Sequence, residues 1–155
     1  MPADEAVLAA LQKAHDLEAT ASEKWHKQEH EFKQSMKRYP KLGKYFDRRH
    51  KEAYDRQHDL RSHIMRLGGT VETNLGDTTY TGDVKRAFDD SCALLDELAD
   101  CYVDIIDAAK EAGDRWTREK FHGYIKDLKQ TYAKGEQRLQ QLKDLGLPLF
   151  LSKHV

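Results

Sequence analysis

Glu18 stands in an otherwise apolar row made by Val7, Leu11, Ala14, Ala21, Trp25 and Phe32, whose steps of three and four mark one face of a helix. A carboxylate on such a face needs a partner, because burying an isolated charge costs several kcal/mol. A metal ion and a cationic side chain would both serve, and the row leaves the choice open. His26 and His30 lie four residues apart on the same stretch, a spacing that offers two imidazoles to zinc or copper, with Glu23 or Glu29 as a third ligand. No ligand from another element is identifiable for them, so a solvated flank is the expected state. His50 and His58 carry the same expectation. Cys92 and Cys101 fall within one helical stretch, on opposite faces and about 13 Å apart along the axis, too far to bridge each other. They read as reduced thiols.

The elements that position these groups follow from composition. The chain has 155 residues, of which 34% are charged and 39% hydrophobic, with a net charge of −1. That is one domain, residues 1–155. Disorder needs a large net charge and few aromatics, whereas this chain has seven Tyr, five Phe and two Trp. Narrow apolar stripes on long, well-hydrated helices reconcile the numbers. With three prolines and one Gly-Gly pair, there is too little turn chemistry for many short strands. No apolar run reaches the roughly 20 residues that span a bilayer, and no signal pattern is read at the start, so no membrane association and a cytoplasmic location are expected.

The periodicity predicts a first helix over about 4–37 and a break at Tyr39-Pro40-Lys41-Leu42-Gly43. A second helix is predicted over about 44–67, with Phe46, Ala53, Leu60, Ile64 and Leu67 inward, stopping at Gly68-Gly69. Residues 70–82 form a long connection. A third helix starts near Asp83 with Val84, Phe88, Cys92, Leu95, Ala99, Tyr102 and Ile106 inward, and ends at Ala112-Gly113. A fourth carries Phe121, Ile125, Leu128, Tyr132, Leu139 and Leu142 to the stop at Leu145-Gly146, and a tail helix is predicted over 148–154. Two short links and one long one specify an all-α fold. It is a ferritin-like antiparallel four-helix bundle with a crossover between helices two and three and a short fifth helix. Tyr102, Tyr132 and Trp25 are expected as core packing.

Three strings resemble the bacterioferritin family over nearly the whole chain. They are Ile64-Met65-Arg66-Leu67-Gly68-Gly69; then Thr73-Asn74-Leu75-Gly76, Gly82-Asp83-Val84 and Ala93-Leu94 in order; and finally Leu145-Gly146-Leu147-Pro148-Leu149-Phe150-Leu151. The resemblance implies hollow shells that oxidise ferrous iron and store the mineral. It also implies a ferroxidase centre built from a Glu on helix one, a Glu-x-x-His on helix two, a Glu on helix three and a Glu-x-x-His on helix four. Carried over residue by residue, the helix-one ligand is Glu18. The helix-two pair falls on Ala53 and Arg56, the helix-three Glu on Leu95, and the helix-four pair on Leu128 and Thr131. Near misses, Glu52-x-x-Asp55 and Asp55-x-x-His58, are rotated by one and two residues, about 100° and 200°.

The expectation is therefore a bacterioferritin-like subunit whose di-iron centre has degenerated. In its place Glu18 pairs with Arg56, and Gln57 or Ser22 takes the leftover hydrogen bonds. The family's haem-ligating Met falls near Ala53 and Tyr54, so haem is not expected. Iron storage remains the implied role, as a homo-oligomer alone or together with an active ferritin subunit. The apolar tail is expected to need an assembly to cover it. Two alternatives are a ferroxidase with ligands moved to Glu18, Glu52, Asp55 and His58, and a structural or binding module without iron. Cations crowd residues 24–51 and acids crowd helix three, which suits subunit contact or solvation better than nucleic acid.

Overall fold

The computed structural model describes residues 4–155. Three of its helices open on an aspartate that caps the first turn, the role a short carboxylate fills best. Asp4 accepts from the Ala6 and Val7 amides ahead of α1 (Glu5–Ser35), and Asp83 from the Arg86 amide at 2.9 Å ahead of α3 (Val84–Glu111). Asp114 accepts from the Thr117 amide at 3.0 Å ahead of α4 (Arg115–Leu145). The second helix, α2, spans Pro40–Arg66 and begins four residues before the sequence places it. Pro40 is its first residue, where a proline's fixed φ suits the helix and its missing N–H is no loss. The fifth, α5, spans Leu147–Ser152 and follows Gly146 at φ 75°.

The apolar row of α1 packs on α2, α3 on α4, and α1 also on α3. Every residue of the α1 row is buried, with Phe46, Ala53, Leu60, Phe88, Leu95, Phe121 and Leu128 facing it across the core. Three details differ from the sequence reading. Ile105, not Ile106, is the buried isoleucine of α3; Leu67 is half-buried; and Ile125, Tyr132, Leu139 and Leu142 of α4 are half-buried rather than enclosed. The fully buried residues of α4 are Thr117, Phe121, Leu128 and Gly135. At Gly135 an added Cβ would meet Cys92 Sγ at 2.7 Å and Tyr45 Oη at 3.1 Å, so the missing side chain is what lets α4 approach this closely.

Residues 70–82 run along α1 on a stripe of its polar side chains. Gln12 donates to the Glu72 carbonyl at 2.6 Å, and Asp16 accepts from the Asn74 amide at 3.2 Å. Thr20 accepts from the Gly76 amide at 2.9 Å, and Gln28 donates to the Thr81 carbonyl at 2.6 Å. The crossover thus travels from the start of α1 to its far end and delivers α3 parallel to α2. Side chains of α1, rather than a sheet, take up several of its backbone groups.

The tail corrects an expectation. Phe150 and Leu151 are buried against the chain's own bundle, Phe150 meeting the Phe88 ring edge-on at 6.1 Å, and the Lys41 amide donates to the His154 carbonyl at 3.2 Å. Because α5 folds back, its apolar side does not require a second subunit. Leu147 and Leu149 alone of its leucines are exposed.

His63 gives the fold a pH dependence. Thr117 Oγ1 donates to Asp114 Oδ2 at 2.5 Å and so accepts from His63 Nε2 at 2.8 Å, which assigns the neutral Nε2–H tautomer. Its Nδ1 is buried without a partner, between Trp116 and Phe121. Burial holds the pKa below the ordinary 6.5, with Lys120 adding to that and Asp114 and Asp59 opposing it. The unfolded chain therefore takes up the proton first. Stability is unaffected above pH 6.5 and falls below it, by at most about 1.4 kcal/mol per pH unit for this group. Urea denaturation at pH 7.5 and pH 5 reads the loss, and His63→Gln flattens that part of the profile.

Candidate functional site

Three of the four long helices send a polar side chain to the middle of the bundle. From α1 comes Glu18, fully enclosed at 0% exposure; from α2 comes Arg56, at 9%. Arg56 Nε donates to Glu18 Oε2 at 2.5 Å and Nη2 to Oε1 at 3.1 Å, a two-pronged ion pair. From α3, the Tyr102 hydroxyl donates to Glu18 Oε2 at 2.7 Å. The place expected for Gln57 or Ser22 is therefore taken by Tyr102, while Ser22 Oγ instead meets His50 Nδ1 at 3.0 Å.

A second, shallower link joins α4 to α2. The Tyr124 hydroxyl donates to Asp59 Oδ2, and Lys120 Nζ lies 3.0 Å from Asp59 Oδ1. The Tyr102 and Tyr124 rings meet edge to face at 5.3 Å and join the two links. The four charges, two of each sign, cancel.

Burial drives the Glu18 carboxyl above its ordinary value, and the Arg56 guanidinium and Tyr102 hydroxyl pull against that. Burial opposes the Arg56 charge, but the Glu18 carboxylate beside it more than compensates. Burial and the adjacent carboxylate both push the Tyr102 hydroxyl far up, so it stays a donor. Asp59 is the reverse case: burial would raise its carboxyl, but the Tyr124 hydroxyl and Lys120 hold it below the usual range.

The remaining sequence-derived positions lie elsewhere. Glu52 is half-buried and engaged by Arg49 Nη2 at 3.0 Å and Arg48 Nε at 3.7 Å. Asp55 and His58 are exposed, with His58 Nδ1 against the Tyr54 carbonyl at 2.9 Å. His50 lies beside His26, ring centroids 4.6 Å apart, a neighbour from α2 that spacing alone does not reveal. Its Nδ1 is taken up by the Ser22 carbonyl at 3.0 Å. Both cysteines are buried and free, and burial pushes each thiol up to about 11, so neither is a ready nucleophile.

The donors at the centre do not fit a pair of iron ions. The one carboxylate of the Glu18 link is already held by a guanidinium and a phenol, and Ala53, Leu95 and Leu128 offer no lone pair. Among the described residues, no three His, Cys, Asp or Glu side chains are grouped so as to hold a metal ion. No helix there is long and apolar enough to cross a membrane.

The family model for the ferritin-like domain matches residues 8–145, from the first turn of α1 to the last residue of α4. No curated protein matches the chain. Four long helices, their crossover and that match make one statement: the chain belongs to the ferritin-like domain family.

Proposed function

We propose that this chain is a bacterioferritin-like subunit of an oligomeric assembly that takes part in iron storage without an oxidising di-iron centre of its own. One observation carries the reading: Arg56 forks onto Glu18 where the four helices converge. A cation fixed to the chain supplies the positive charge that bound iron would bring, and it does so without redox chemistry. Ferrous iron is then oxidised by an active partner subunit or in solution, and this chain contributes shell surface. Acidic side chains such as Glu97, Asp100 and Asp104, exposed along α3, are available to the mineral.

A ferroxidase relocated to Glu18, Glu52, Asp55 and His58 is the weaker reading, since Asp55 and His58 are exposed while Glu18 is sealed inside. Stopped-flow oxidation of a pair of ferrous ions per chain separates the two. The expected trace matches buffer alone, and a fast phase at that stoichiometry contradicts the proposal. Iron retained on the purified assembly after slow aerobic loading separates storage from an iron-free binding module. Size-exclusion mass comes first, because a monomer excludes storage.

A further inference from the structure

The basic stretch noted in the sequence gains a shape in the fold. Lys41, Lys44, Arg48 and Arg49 of α2 meet Lys134 and Arg138 of α4 around one cleft of about 310 Å³. Among the described residues, the only ion pairs these six cations form run from Arg48 and Arg49 to Glu52. The cleft therefore holds a large excess of positive charge in a concave space.

Arg49 is the unusual member. It is only 3% exposed, its guanidinium lies 4.8 Å from the Tyr45 ring, and Nη2 is given to Glu52. Its Nε is buried with no acceptor, and Tyr45, whose ring the guanidinium covers, also lines the cleft. A buried cationic donor left unpaired costs free energy that a ligand would recover. The positive field reaches His154 as well. Burial lowers its pKa, and Arg138 and Lys41 lower it further against the opposing Phe150 carbonyl.

We propose that this α2/α4 cleft binds a small phosphate-bearing anion, with Arg49 and Tyr45 at its floor and Lys44, Arg48, Lys134 and Arg138 around its mouth. Several cations converging on one point suit a multiply charged oxyanion with acceptors on every side, and guanidinium groups match its geometry in pairs. A narrow cleft with a buried donor suits a compact ligand better than a duplex, whose phosphates lie on a convex surface. The site is independent of what the bundle interior does.

The test is calorimetric titration of the intact protein at low ionic strength with inorganic phosphate, pyrophosphate and adenosine monophosphate. At least one is expected to bind saturably. Binding by phosphate or pyrophosphate identifies a free ion, and binding by the nucleotide alone identifies a phosphate ester; either supports the site. Arg48→Gln with Lys134→Gln, both at the surface, raises Kd by about tenfold or more, whereas Lys110→Gln, remote on α3, does not. Arg49→Gln weakens binding further if it folds, and the surface pair keeps the test decisive if it does not. Three results overturn the proposal: no saturable heat with any of the three, an affinity unchanged in the double variant, or duplex DNA binding where none of the small anions does.

Discussion

Arg56→Met lowers the unfolding free energy by about 3–5 kcal/mol, the range seen when one partner of a buried ion pair is removed. Glu18 is left fully enclosed, with Tyr102 its only remaining donor. It must then take up a proton or let water into the bundle. For a chain of this size each kcal/mol moves Tm by about 2–4 °C, so the midpoint falls by roughly 10 °C. Taking both charges out of water offsets much of their attraction, so the intact pair is a poor net stabiliser. The folded carboxyl binds its proton more tightly than the unfolded one, so ionising it opposes folding as pH rises. Glu18→Leu with Arg56→Met therefore recovers most of the loss and can exceed the parent. Urea denaturation of the three proteins checks this. A single Arg56 variant within about 1 kcal/mol of the parent would contradict the buried pairing.

Phe121→Ala is the second large effect, at about 3–5 kcal/mol. Its ring is fully enclosed, with its centroid 5.1 Å from that of His63 of α2, 6.1 Å from Tyr102 of α3 and 5.7 Å from Tyr124 of its own helix. Helix α4 has few enclosed side chains to share the load, and Leu128 is the only other large apolar one. The loss should fall mostly on that helix, as faster amide exchange along α4 than along α1. Ile125→Ala, one turn away but half-buried, serves as the comparison and costs less. Equal losses at the two positions would contradict the packing described.

The helices were legible because their apolar rows have helical period, and Glu18 stood out as the one acid in such a row. The register against Gly68-Gly69 put Arg56 on the same side of α2 as Ala53. Other features gave no such signal. Nothing in the sequence singles out Gln12, Asp16, Thr20 and Gln28, because polar residues that hold a crossover have the same composition as polar residues in water. Periodicity turns Tyr102 inward as a packing residue, but it does not tell where the hydroxyl reaches. Asp59, Lys120 and Tyr124 meet only because α2 and α4, far apart in the chain, pass each other at that height. The cover of the apolar tail is not legible in the sequence, because Phe88, which helps provide it, lies in another helix.

Crystals soaked anaerobically in ferrous or manganous salt, measured at the metal's absorption edge, probe the interior directly. The expected map has no anomalous peak among the four long helices, and Arg56 still forks onto Glu18. Two neighbouring peaks inside the bundle, with Glu18 released from Arg56 to bind them, would contradict it.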